Sequence, residues 1–322
     1  MAQHFLLSAE ARTLSLKEIY IYKGGEEKAY ITFKRMRWQE TAGEPVCPVC
    51  GCVDSKTVKS RATFRCIACS KQYSVTSGTI FASRKMPFTD LLAAICIFVN
   101  AAKGLSSLQF SRDLDCQYKT AFVLSHKLRE ALAAELANEK LSGEVEIDGA
   151  YFGGHIRPAN FKAKRIDRRK AQYQNGNRRV VVALREREGR THTYVTESEA
   201  EGLPIAERIA NEGTVFYADE AKHWDALHNN LVAYRINHSE AYSYLDGVHT
   251  NNVESFFARL RRMVQGQHHH VSRQYLHEYA AHAAWMEDHR RRSNGDNAAA
   301  LLGGALNHPI SRVWAGYWQR RA

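Results

Sequence analysis

The sequence predicts an α/β protein, a mixed sheet with flanking helices, preceded by a small cysteine-bearing segment and a helical one. Three observations predict it. From Gly143 onward the apolar pattern alternates with period two in GEVEIDGAYFGG, RRVVVALREREGRTHTYVT and TVFYAD, and a helical stretch, AEGLPIAERIANEG, precedes the last of these. From Pro87 to Asn138 the text is helical throughout, and ahead of it CPVCG and CIACS repeat one spacing. Three strands, a helix, a fourth strand and then helices make an α/β domain with a mixed sheet.

With 322 residues the chain is long enough for one large domain and a small one, without disulfides. Lys and Arg number 45 against 34 acids, a net charge of +11 that points to a polyanionic partner, nucleic acid or anionic membrane. The N-terminal MAQHFLLSAEARTLSLKEIY lacks the charged and apolar regions of a signal peptide. The longest apolar run, LLAAICIFVNAA from Leu91, contains Asn100 and is too short to span a bilayer, so a soluble cytoplasmic protein is expected.

Residues 1–44 hold EEKAYITFKRMRW, in which Tyr30, Phe33 and Trp38 fall on one side of a helix and are expected to pack on the cysteine-bearing segment next to it. Residues 45–85 carry short strand-like pieces, TVKS, ATFRC and KQYSVTSGTIF, too few to own a core. Residues 86–140 read as two short helices, the first with Pro87 at its start and Gly104 as its stop, and a longer one with Phe122, Leu128, Leu132 and Leu136. The set resembles a helix-turn-helix for DNA, plain packing helices being the alternative. Residues 141–290 form the sheet domain, and 291–322 read as a C-terminal tail. Inside the sheet domain, the loop 155–179 carries nine Lys or Arg, a length and charge suited to a functional or disordered segment.

Two of the seven cysteines' patterns are informative. Cys47 and Cys50 form one CxxC turn, Cys66 and Cys69 another, with 15 residues between them. Two such turns present four thiolates to one ion, which makes a structural Zn²⁺ site with no open coordination position. Cys52, Cys96 and Cys116 are left as free thiols of a reducing compartment. Lys59, Arg61, Arg65 and Lys71 around the turns suit a DNA-contacting surface, as they would ordinary solvation.

Three acids stand at element ends. Asp148 closes an alternating strand before Gly149, Asp219 closes TVFYAD, and Glu254 opens ESFFARLRR 35 positions further on. Converging on one sheet edge, they could bind two Mg²⁺ or Mn²⁺ ions for phosphoryl transfer, hard oxygen ligands selecting these ions over zinc. Acids at strand ends are common, and capping or solvation is the ordinary explanation of any single one. Asn251 and Asn252 precede Glu254, and Arg261 follows it by seven positions, about two helical turns along the same face. Phe256, Phe257 and Leu260 are expected to anchor that helix. His268 to His270 are expected as DNA contacts or supports, since three adjacent histidines cannot all point one way.

RWQETAGEPVCPVCG, FRCIACSKQYSVTSGTIFASRKMPFTDL, LSGEVEIDGAYFGG, YADE and HTNNVESFFARLRRMVQGQHHHVSRQYLHEY together resemble the IS1595-type, or ISXO2-like, insertion-sequence transposases. The resemblance runs from Arg37 to Tyr279. It implies an N-terminal zinc ribbon and a DDE catalytic domain of ribonuclease H-like fold. By position it implies Asp148, Asp219 and Glu254 as the catalytic carboxylates, Asn251 beside the third, Arg261 as the basic residue that is usually lysine, and Cys47, Cys50, Cys66 and Cys69 as zinc ligands. The chain departs from the pattern at Gly149, often an acid, and at Phe257, usually tryptophan. The expected function is a nucleoid-associated DNA transposase acting on element ends and target DNA as a homodimer or larger assembly. A zinc-ribbon DNA-binding regulator, an inactive transposase copy and a nuclease of the same fold share the same motifs, and a redox use of the CxxC turns is a more distant reading.

Overall fold

The computed structural model describes residues 8–22, 25–58, 61–136, 140–153, 159–166, 176–237 and 247–320. Much of the basic loop, 155–158 and 167–175, and Lys59 lie outside these residues. The chain divides into two compact units, one formed by Met1–Glu135 with His289–Ala322 and the other by Leu136–Asp288.

In the first unit, helix α1 (Glu26–Arg37) carries Phe33 and, at its end, Trp38 into the interior. Strands β1 (Ser55–Val58), β2 (Thr63–Cys66) and β3 (Gln72–Tyr73) pair antiparallel, with Ser55 opposite Cys66 and Phe64 opposite Tyr73. The apolar side of this small sheet is Phe64 and Tyr73, and Trp38 packs edge-on against both, at 5.7 and 6.5 Å between ring centroids. The ribbon thus borrows its core from α1, as its size requires. Beyond Tyr73 the segment read as strand forms turns instead.

Three helices come next: α2 (Phe88–Asn100), α3 (Ser107–Asp113) and α4 (Tyr118–Leu136). The N-terminus of α2 is capped by an acid of α1. Glu26 accepts from the Phe88 and Thr89 amides at 2.8 and 3.0 Å, supplying acceptors that the first turn of a helix lacks. Ser106 caps α3 by accepting from the Gln109 amide.

The second unit is a five-stranded mixed sheet. Its strands are β4 (Glu144–Phe152), β5 (Arg179–Glu186), β6 (Thr191–Thr196), β7 (Val215–Asp219) and β8 (Val232–Ile236), in the order β6-β5-β4-β7-β8. The β4, β5 and β6 meander is antiparallel, and β7 and β8 add to β4 in parallel. This is the predicted ribonuclease H-like mixed sheet with one strand more than the sequence pattern shows. VAYRI lacks a strand signal because it is an edge strand that buries only Ala233 and Ile236.

Alternation along β4 assigns each face. Val145 and Ile147 join Val180, Val182, Ala206 and Trp224 under helix α5 (Gly202–Ile209) and the 3-10 run Lys222–Asn229. Here α5 approaches closely, since a Cβ on Gly202 would lie 2.9 Å from Val182 and 3.0 Å from Trp224. Ala150 and Phe152 join Val181 and Ala183 on the other face, under helices α6 (Asn251–Arg262) and α7 (Leu276–His289). Helix α6 starts three residues before the expected position, at Asn251, so Glu254 lies within its first turn. Phe256, Phe257 and Leu260 are its buried anchors.

Residues 291–322, expected as a tail, instead contain helix α8 (Asn294–Asn307), which buries Leu301, Leu302, Ala305 and Leu306 in the first unit. It packs on α1 and α2, and Trp314 stacks on His126 of α4 at 4.1 Å. The bland-looking NAAALLGGALN is thus a packed helix, with Ala298, Leu301, Leu302, Ala305 and Leu306 on its buried side. Among the described residues no helix is long and apolar enough to cross a membrane.

The fully buried Phe256 ties α6 to the sheet. Phe256→Ala is expected to lower stability by about 3–5 kcal/mol, read as an earlier denaturant midpoint.

Candidate metal and catalytic sites

The four sulfurs of Cys47, Cys50, Cys66 and Cys69 lie within 4.8 Å of one another. Cys47 and Cys69 are 3.6 Å apart, as are Cys50 and Cys66. Tetrahedral thiolates bound at zinc distance stand about 3.8 Å apart, so this donor set fits one structural Zn²⁺. Tight turns place the sulfurs: the Gly51 amide returns to the Cys47 carbonyl and the Ser70 amide to the Cys66 carbonyl. Hydrogen bonding by the Cys69 amide foremost pulls the Cys66 thiol down to about 6, while Cys50 in the same set is pushed up to about 12. All seven cysteines are unbridged. Arg61, Arg65 and Lys71 are exposed around the ribbon.

In the second unit the chain brings three of the predicted acids into one electrostatic neighbourhood. Asp148 lies within β4 and not at its end, because the strand continues to Phe152 in register with β5. It is half-buried, and burial pushes its carboxyl up to about 7 although the Gly149 amide donates to it at 2.6 Å. The negative charges of Asp219, Glu199 and Glu254 push it further in the same direction. Asp219 closes β7 and accepts from the Ala221 amide at 3.1 Å. Arg235, on the edge strand β8, donates to the Asp219 and Ala221 carbonyls and so braces that loop. Glu254 is exposed on α6 and accepts from the Thr250 hydroxyl at 3.1 Å. Among the described residues only the cysteines draw three or more ligand atoms within 4.8 Å of one another; the acids are neighbours at longer range. Mutually repelling carboxylates with hard oxygen donors fit a divalent cation of the Mg²⁺ or Mn²⁺ kind, whose charge relieves that repulsion.

The accompanying residues divide. Asn251 and Arg261 are exposed on α6, the Arg261 guanidinium 5.9 Å from the Phe257 ring centroid. Asn252, not Asn251, reaches the sheet, donating to Glu146 at 3.0 Å. His268 packs edge-on against Tyr279, and His269 and His270 are exposed.

Two further acids are invisible to sequence reasoning. Glu199 lies against Gly149, where an added Cβ would come within 2.4 Å of its side chain, and it pairs with His223 at 3.4 Å. Gly149 is the one sequence signal of that close approach. Glu146 is fully buried on β4 and accepts from the Asn252 and Val253 amides of α6 at 2.8 and 2.9 Å. A charged residue alternating with Val145 and Ile147 reads as solvent-facing, and nothing local distinguishes it.

The fold and these two sites define a class: a four-cysteine ribbon joined in sequence to a mixed-sheet domain with acids on its central strands. Residues 140–288 match the ISXO2-like transposase domain, and residues 24–72 match the transposase zinc-ribbon domain. The chain belongs to the IS1595-type transposase family. No curated protein and no solved structure matches it.

Two outcomes are expected. Released metal should amount to about one zinc per chain in the wild type and fall to near none in Cys66→Ser, measured with a chromogenic chelator. For Asp148, the folded carboxyl titrates above its unfolded value, so its contribution to stability is complete below pH ~4 and is lost as pH rises through 7. In denaturant titrations free of Mg²⁺ and Mn²⁺, Asp148→Asn should therefore be more stable than wild type at pH 8, by up to about 4 kcal/mol, and equally stable at pH 4.

Proposed function

We propose that this transposase-family chain binds the inverted-repeat ends of its element and cuts and joins DNA phosphodiesters, with Asp148, Asp219 and Glu254 holding two Mg²⁺ or Mn²⁺ ions. The observation that carries the reading is the match of residues 140–288 to the transposase domain, within which Asp148 and Asp219 lie on neighbouring strands and Glu254 on α6, the Asp148 carboxyl pushed up by burial and by those acids. Bound there, the ions would activate the attacking oxygen and stabilise charge on the leaving one. The protein's own part is to hold the carboxylates of two neighbouring inner strands and of α6 near one another and to keep the reacting strand against them.

In the first step water attacks the phosphorus at the element end. The bond from phosphorus to the 3′ oxygen breaks and leaves a 3′-hydroxyl. In the second step that hydroxyl attacks a target phosphodiester, forming a new bond to phosphorus as the target's own 3′ oxygen departs. Neither step needs a covalent protein intermediate. Arg261, seven residues beyond Glu254 on an exposed face of α6, is assigned to the terminal phosphate, and Asn251 to orientation of the strand beside Glu254. The ribbon and helices α2 to α4 are assigned to double-stranded DNA, with Arg61, Arg65 and Lys71 neutralising phosphates, so affinity should fall steeply with salt. Joining two ends calls for two copies of the chain, a homodimer being the simplest closed assembly. Such a protein works on the nucleoid in the cytoplasm.

The test is strand transfer of a labelled, precleaved element end into plasmid DNA with Mg²⁺. Glu254→Gln is expected to lower joining by about 10²–10³-fold, as when a group that stabilises transition-state charge is removed, while DNA binding persists. Binding without cutting or joining by the wild type, with Mn²⁺ as well, would overturn the enzymatic reading in favour of a DNA-binding regulator.

A further inference from the structure

We infer that Glu146 is a positioning residue that sets the spacing of the three carboxylates, a role that rests on the catalytic reading above. It has no exposed surface, and a buried charge persists only where it is well paired. Both of its oxygens are engaged. Oε2 accepts from the Asn252 and Val253 amides at 2.8 and 2.9 Å. Oε1 accepts from Asn252 Nδ2 at 3.0 Å and Arg187 Nε at 3.2 Å, with His249 Nδ1 at 3.1 Å. The backbone amides belong to the first turn of α6, where donors lack helical partners and the helix dipole favours an anion.

The network extends from Glu146 to every element that carries a catalytic acid. Arg187 also donates to Glu144 at 3.0 Å and to the carbonyls of Gly247 and His249, which lead into α6. Glu144 accepts in turn from the Tyr217 hydroxyl of β7 at 2.7 Å, and the Arg187 guanidinium lies 3.9 Å from that ring's centroid. Asp148 is two residues beyond Glu146 on the same face of β4, Asp219 two beyond Tyr217 on β7, and Glu254 the residue after Val253 on α6. Strand alternation and the first helical turn therefore carry the geometry of one buried cluster directly to all three carboxylates. Glu146 touches no substrate. It acts by fixing where α6 begins relative to β4.

The experiment uses the full chain and Mn²⁺ alone as the probe, with affinity read by calorimetry and coordination by electron paramagnetic resonance. Precleaved-end joining, DNA affinity and thermal melting are measured alongside. Glu146→Gln keeps the shape but turns a donor toward the helix amides; Tyr217→Phe removes one hydroxyl from the far side of the cluster and serves if the first variant fails to fold. Both are expected to keep DNA affinity while losing about 10–100-fold in Mn²⁺ affinity, the range for partners that orient metal ligands. Excess Mn²⁺ should restore joining to them and not to Asp148→Asn. Unchanged Mn²⁺ affinity and joining in the folded variants, with only the melting temperature lowered, would reduce Glu146 to a helix cap and overturn the inference. If the wild type binds no Mn²⁺ beyond what Asp148→Asn binds, the catalytic reading itself fails, and the positioning role with it.

Discussion

The first turn of a helix leaves amide hydrogens with no partner in the helix, and this chain satisfies two such ends with acids from distant elements. Glu26 of α1 does so for α2, and Glu146 of β4 does so for α6. Each bond joins two elements and at the same time fixes where a helix starts, which ordinary capping by the preceding residue cannot do. At α6 the consequence is large, since the helix has no side-chain cap of its own from Thr250. The placement of Glu254 and of the buried Phe256 and Phe257 depends on that start.

The acidic part of the sheet is held together against its own electrostatics. Asp148 is driven up by burial and by three neighbouring acids, while the rest of the unit compensates with closed ion pairs. Arg185 meets Glu287 at 3.0 Å, and Asp288 accepts from the Thr191 amide and hydroxyl. These contacts tie α7 to the β5–β6 hairpin. Burial nevertheless pushes the Asp288 carboxyl up to about 6, so the unit carries unfavourable charge in two places, the greater at Asp148.

Most of this fold is legible in the sequence because its signals are local. The two CxxC turns declare themselves by spacing, and β4, β5 and β7 by their period, so Asp148 and Asp219 can be assigned to strands directly. Features that depend on partners remote in sequence are not legible. Glu146 resembles a solvent-facing residue until Arg187 and the α6 amides surround it. Glu199 has no local pattern at all, and only Gly149 hints at it. The end of β4 is obscured by Gly149, which reads as a stop although the strand runs on to Phe152. VAYRI is too short and half exposed to stand out as β8, and NAAALLGGALN looks featureless because the partners of its buried residues, on α1 and α2, are remote in sequence. The start of α6 is displaced by three residues from its expected place because the cap comes from another element.

The first unit is discontinuous in sequence, with residues 289–320 returning to complete it. A ribosome delivers the chain from one end only, at about 5–20 residues per second. The whole of the mixed-sheet unit is therefore synthesised while α1 and α2 still wait for α8. The order of maturation is set accordingly: the unit bearing the carboxylates can close first, and the one bearing the zinc ribbon only after α8 has been made. A chain interrupted before α8 would carry an intact sheet and a ribbon unit lacking one wall.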